Sequence, residues 1–201
     1  MELTHTIDTV KTASAKPVVH RWTRKQYLRM SELGWFAGTR VQLIDGRIFD
    51  MPAQKDSHVF SVERAKKLLD DAFGRGYWVR QQATLNLGPR SVPDPDVAVV
   101  KGRAHPGPGY PMTALLVVEV SDTTLWLDRN RKALIYAKAG LGDYWIVNLV
   151  DRQVEVHRDP VAIPASGGRA RYTTVQIFKP GEFIEPLAAP RARVAVADLF
   201  A

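Results

Sequence analysis

Two short apolar runs, each carrying one carboxylate, constrain this chain more than any other feature. Asp96 opens the run Val97-Ala98-Val99-Val100, and Glu119 lies within Leu115 to Val120. Continuous apolar segments of this length, bounded by Pro and Gly, read as strands buried on both faces. A carboxylate inside such a run is costly unless something neutralises it. Neighbouring strands lie about 4.8 Å apart. If these two are neighbours, ionised acids facing one way repel by roughly 3 kcal/mol at an effective dielectric near 20. A divalent cation between them removes that repulsion and creates a catalytic centre. Directly after the second run comes a helical segment bearing Lys132.

The rest of the composition narrows the chemistry. The chain has no cysteine, which removes disulfides, thiolate metal sites and cysteine nucleophiles together. At 201 residues and 45% apolar it suits one domain with a real core. The expected organisation is a flexible tail over residues 1–20 and a single domain over 21–201. No apolar run approaches the length of a membrane span, and the N-terminus lacks the apolar stretch of a secretory signal. The expected compartment is therefore the cytoplasm, with no membrane partner. Lys and Arg outnumber Asp and Glu by 28 to 21, a net charge of +7 that permits a polyanionic partner without identifying one.

Order is expected from Trp22. Thr23 and Gln26 have capping-box spacing ahead of a short helix carrying Tyr27 and Met30. Asp45-Gly46 between alternating apolar runs predicts a type I′ hairpin. Gln42 in its first strand has the parity of a solvent-facing residue. His58, Val62, Ala65, Leu69 and Ala72 form one helical stripe, and a histidine opening such a stripe is more often a hydrogen-bonded structural residue than a ligand. Trp78 to Leu87 reads as a strand. Asp96 points into a site more readily than Asp94, which suits a turn cap. The Gly/Pro-rich loop that follows holds His105 and is long enough to cover an active-site mouth.

Ser121, Asp122, Thr123, Thr124 and Asp128 offer caps for a helix ending at Gly140. Asp128 and Lys132 share a helix face; the plain reading is an exposed ion pair, the functional one an ammonium beside the strand acids. Arg129 and Arg131 are placed to meet phosphates. Further strands are expected from Asp143, around Val154–His157 and over Tyr172–Phe178, with the terminal GEFIEP and VAVADLF segments folding back onto the sheet. Phosphate loops, GxSxG elbows, zincin spacings and nucleic-acid-binding zinc motifs are lacking. What remains is Asp, Glu and Lys, oxygen donors suited to Mg²⁺ or Mn²⁺.

With these residues in view, the chain resembles the Uma-type restriction endonuclease family of the PD-(D/E)XK nuclease superfamily. The resemblance rests on WTRKQYLRM, VQLIDGRIFDM, His58, PDVAVV, LLVVEVSDTTLWLDRNRKALIYAKAGLGDYWIV and the closing GEFIEP and DLF. It implies an α/β (α+β) fold, a restriction-endonuclease-like mixed sheet flanked by helices with extra hairpins. It implies Mg²⁺- (or Mn²⁺-) dependent hydrolysis of DNA phosphodiesters by metal-activated water, with DNA as partner and room for a homodimer. Carried over residue by residue, Asp96 and Glu119 hold the metal with the Val120 carbonyl, and Lys132 supplies the catalytic ammonium. His58 borders the site, and Asp128 orients Lys132 or helps to hold the metal through water. Two positions depart from the family pattern. Ser121 stands where the superfamily has lysine, and Gln42 stands where the family has glutamate. Both favour a rival reading, a weakened or inactive nuclease-fold protein that binds DNA or supports assembly. In a third reading, Asp96 and Glu119 are structural acids paired with Lys132 or an arginine.

Overall fold

A glycine turn ties the N-terminal part of the chain together. In this computed structural model, which describes residues 17–104, 109–163 and 168–200, helix α1 (Arg24–Glu32) begins with the anticipated capping box. The Gln26 N–H donates to Thr23 Oγ1 at 3.3 Å, and the Thr23 N–H donates back to Gln26 Oε1 at 2.9 Å. Strands β1 (Val41–Ile44) and β2 (Arg47–Asp50) pair through Asp45 and Gly46, at φ +47° and +73°, as a type I′ turn requires. A Cβ on Gly46 would lie 3.0 Å from Arg21 Cβ, so the close approach of the entering chain also demands glycine there. The tail expected over 1–20 lies outside the described residues as far as residue 16, as does His105.

Helix α2 (Asp56–Phe73) buries Val62, Ala65, Leu69 and Phe73. Strand β3 (Tyr77–Gln81) is shorter than the expected Trp78–Leu87 run. Gln82 adopts φ +46°, which breaks the extended backbone, and its N–H donates to the Asp96 carbonyl at 3.0 Å. Strands β4 (Val97–Lys101), β5 (Leu116–Ser121), β6 (Asp143–Asn148), β7 (Gln153–Ile163) and β8 (Arg169–Phe178) complete a six-stranded sheet ordered β3-β4-β5-β6-β7-β8. Only the β5–β6 pair is parallel. A parallel pair needs a crossover, and the helical segment after β5 supplies it.

That crossover is not the plain helix the sequence suggests. It runs as α3 (Leu125–Leu127), a five-residue π turn (Asp128–Lys132) and α4 (Ala133–Lys138). The Asp128 carbonyl receives the Ala133 N–H and also the Tyr144 hydroxyl at 3.1 Å. The widened turn leaves Asp128 and Lys132 both facing inward and buried. Single π turns of this kind recur at functional positions.

Each face of the sheet has its own core. On one, Val62 and Leu69 of α2 pack on Val97, Val99, Val118 and Trp145. The C-terminal segment joins them through a small ladder, β9 (Phe183–Ile184) with β10 (Val194–Ala195), and a closing 3₁₀ turn (Val196–Leu199). On the other face Tyr136 of α4 and Tyr144 pack with Val117, Ile146 and Tyr172. The mixed sheet flanked by helices that the resemblance implies is the fold observed.

Candidate functional site

Strand register brings the two sequence-marked acids together. Val97 pairs with Val118 in the β4–β5 ladder, so one further step puts Asp96 opposite Glu119. Lys132 reaches in from the π turn, its Nζ 2.8 Å from Glu119 Oε2 and 3.1 Å from Asp128 Oδ1. The plain reading of Asp128–Lys132 as an exposed pair is therefore wrong. The two are 1% and 3% exposed, because the π turn directs both into the protein. Ser121, in place of a lysine, donates to Asp128 Oδ2 at 2.7 Å, and Thr124 donates to the same oxygen at 2.8 Å.

Asp96 is oriented from two sides. Its Oδ2 accepts the Val120 N–H at 2.8 Å, and its Oδ1 lies 3.3 Å from His58 Nε2. That same ring nitrogen lies 2.8 Å from the Gln54 amide, so His58 is both hydrogen-bonded and at the border of the site. Burial pushes the Asp96 carboxyl up, but the His58 bond, the Lys132 charge and the Val120 N–H together hold it below the ordinary aspartate value.

Lys132 and Glu119 balance one another unequally. Burial would lower the Lys132 pKa, yet Asp128, Glu119 and Asp96 outweigh it and hold the ammonium above the ordinary lysine value. Glu119 takes hydrogen bonds from Tyr136 Oη at 2.6 Å and from Lys132. Burial still pushes its carboxyl from 4.5 up to about 8, against the pull of Lys132 and with the help of Asp128 and Asp96. Three acids around one ammonium leave an excess of negative charge, and a proton on Glu119 relieves part of it.

The linkage follows from that shift. Between pH 4.5 and about 8 the folded protein keeps a proton on Glu119 that the unfolded chain releases, so the contribution of this one group to stability is greatest below 4.5 and falls as pH rises to 8. Glu119→Gln is expected to flatten this slope without lowering stability at pH 8, as read from urea denaturation across that range.

A cleft of about 280 Å³ opens onto this cluster, walled by Gln42, His58, Asp94, Asp96, Val120 and Lys132. Gln42 is not solvent-facing. At 3% exposure it points inward, because the β1–β2 hairpin lies against the segment preceding β4. Its Nε2 donates to the Asp94 carbonyl at 3.3 Å, while its Oε1 is buried without a hydrogen-bond partner. Asp94 accepts the Thr84 hydroxyl at 2.6 Å.

Neither arginine expected to meet phosphate lines this cleft. Arg129 closes its fork on Glu155, at 2.8 Å from Nε and 2.5 Å from Nη2, and Arg131 lies 5.4 Å from the Trp126 ring centre. Glu155, flanked by Val154 and Val156, repeats the acid-in-a-strand pattern of Glu119, but an arginine and Asn148 satisfy it. Burial raises its carboxyl, yet His157, 3.9 Å away, and the Arg129 and Asn148 hydrogen bonds hold it well below the usual range. Arg129→Ala is expected to cost about 2–3 kcal/mol at pH 7 by leaving a buried charge short of its partner. The loss shrinks below pH 4.5, where Glu155 protonates on unfolding, and paired urea curves at pH 7 and 3.5 test it. Tyr136 was missed, although Asp128, Lys132 and Tyr136 recur at intervals of four along one helix face.

Two comparisons bear on this arrangement. Among solved structures, one titled "Crystal structure of a putative nuclease belonging to DUF820", from Anabaena variabilis, has a TM-score of 0.67 with this chain, covering 89% of it and 97% of that chain at 16% identity. At that identity the likeness speaks for the fold. No curated protein matches. Residues 24–197 match the Uma2 family, described as "Putative restriction endonuclease". With a match that runs from the first helix to the closing 3₁₀ turn, the chain belongs to the Uma2 family.

Proposed function

We propose that this chain is a Mg²⁺- or Mn²⁺-dependent endonuclease that hydrolyses phosphodiester bonds in DNA. The observation carrying that reading is the convergence of Asp96 and Glu119, opposite one another across β4 and β5, with Lys132, where Asp96 and Lys132 line one cleft and Glu119 lies behind them. The donor set suits a hard cation. It comprises the Asp96 and Glu119 carboxylates and the carbonyl of Val120, a residue of the cleft wall, in a cluster whose acids outnumber its one ammonium. Among the described residues no three acid or histidine side chains form a ready metal cluster. Few protein oxygens is the usual condition for Mg²⁺, which is bound through one or two carboxylates plus substrate phosphate.

A cation held there neutralises phosphate charge and lowers the pKa of water. Asp96, fixed by Val120 and His58, presents an ionised oxygen at the cleft. Lys132, kept charged by its three acids, is the donor for the extra negative charge that develops on the phosphate. The net charge of +7 draws the DNA backbone and makes binding salt-sensitive.

A weakened, DNA-binding nuclease fold is the second reading. It is favoured by the neutral Gln42 and by the Lys132 ammonium, which already lies against Glu119 at 2.8 Å. A calorimetric Mn²⁺ titration separates the two. Stoichiometric binding that Glu119→Gln removes supports the nuclease, and absence of binding in the parent protein supports the second reading. Plasmid nicking with Mg²⁺ or Mn²⁺, against the same reaction in EDTA, tests the activity directly.

A further inference from the structure

The candidate site does not end at its own cleft. A second cavity of about 370 Å³ shares Arg40, Gln42, Met51 and Asp94 with the first and continues toward the turn after α1. Its far wall holds Tyr27 and Phe36, with ring centres 5.5 Å apart, and Trp35 stands 68% exposed in the same turn.

Two observations point to a ligand here. Gln42, almost wholly buried, lies in the wall between the cavities with Oε1 lacking any hydrogen-bond partner. Arg40, an exposed residue, is the one cation common to both walls, and among the described residues it makes no ion pair. Asp94 shares both walls with it and feels its charge, with the carboxylate tied to the Thr84 hydroxyl at 2.6 Å. A glutamate at position 42 would add a negative charge to that wall; glutamine adds none.

We propose that this second cavity is a subsite for one unpaired nucleotide adjoining the phosphodiester to be cut. Arg40 binds its phosphate, Gln42 Oε1 accepts a hydrogen bond from its base or sugar, and the Tyr27–Phe36 wall meets the base. The assignment rests on the nuclease reading above. The size supports one nucleoside: ligand cavities begin at roughly 300 Å³, which leaves no room for a stacked base pair. Aromatic side chains beside a cationic groove are the usual means of holding unpaired bases without strong sequence preference. The enzyme should therefore prefer single strands, or duplexes with an unpaired nucleotide, over a fully paired duplex.

The test measures fluorescence anisotropy and single-turnover cleavage on three labelled DNAs: a single strand, its perfect duplex and that duplex with one bulged nucleotide. Arg40→Gln is expected to weaken single-strand binding roughly ten- to hundredfold, as for loss of a charge-assisted contact. It should also lower the slope of log K against log salt by about one, with the loss falling on KM rather than kcat. Ala37→Trp, which fills the cavity from its exposed wall, is expected to abolish the preference for the bulged over the paired substrate. An unchanged salt slope in Arg40→Gln, or an undiminished preference in Ala37→Trp, overturns the subsite and leaves the nuclease reading standing. A parent protein that neither binds nor cuts any of the three DNAs takes down both.

Discussion

Asp96→Asn is expected to cut DNA cleavage by about a thousandfold while leaving the fold intact. The substitution keeps shape and an oxygen for the Val120 N–H, which Oδ2 now accepts at 2.8 Å. What it removes is charge at a buried carboxylate that opens onto the cleft and is held ionised. A cation's share in stabilising phosphoryl charge amounts to several kcal/mol, and each 1.36 kcal/mol is a decade in rate. Stability should move by no more than about 1 kcal/mol, the worth of one hydrogen bond, and binding to DNA should persist because removing an acid leaves the chain's excess of Lys and Arg, 28 against 21 acids in the parent, in place. Nicking rate, urea midpoint and anisotropy measured together check the claim. A variant that cuts as fast as the parent refutes the role proposed for Asp96.

Lys132→Met carries the largest expected cost in stability, about 3–5 kcal/mol at pH 8, the range seen when one partner of a buried ion pair is removed. Glu119 and Asp128 are each 1% exposed and would then face one another with no ammonium between them. Ser121, Thr124 and Tyr136 still donate hydrogen bonds, but none carries charge. The sign of the pH effect follows. Glu119, already raised toward 8, rises further without the lysine, so the variant loses most above pH 8 and least near pH 5, where the acid holds its proton. Adding Glu119→Gln and Asp128→Asn to Lys132→Met should recover most of the loss, since a neutral hydrogen-bonded cluster has no stranded charge. Urea curves of the single and triple variants decide it. A single variant as stable as the parent at pH 8 would show that Lys132 does not compensate those acids.

The same acid-in-a-strand pattern occurs twice and ends differently. Glu119 and Glu155 both sit between valines in buried strands. Glu155 meets the two-pronged guanidinium of Arg129 and an asparagine, and is fully compensated. Glu119 meets one ammonium shared with Asp128, and is not. The difference, and with it the candidate site, lies in which cation the fold delivers to each acid.

Local chemistry by itself determined much of this protein. Thr23 and Gln26 capped α1, Asp45-Gly46 turned the first hairpin, and unbroken valine runs made the central strands. Asp96, Glu119 and Lys132 were legible as candidates because a charge inside an apolar run or on a helix face leaves a mark in the sequence. Tertiary structure alone decided what parity and spacing could not. It buried Gln42 by laying the hairpin against the segment before β4, and turned Asp128 and Lys132 inward through a π turn that sequence periodicity did not reveal. It also tied Arg129 to Glu155 rather than to the cleft, and joined two cavities across Arg40. These outcomes depend on contacts between segments far apart in the chain, whose energies are set by burial and by the partners that burial supplies.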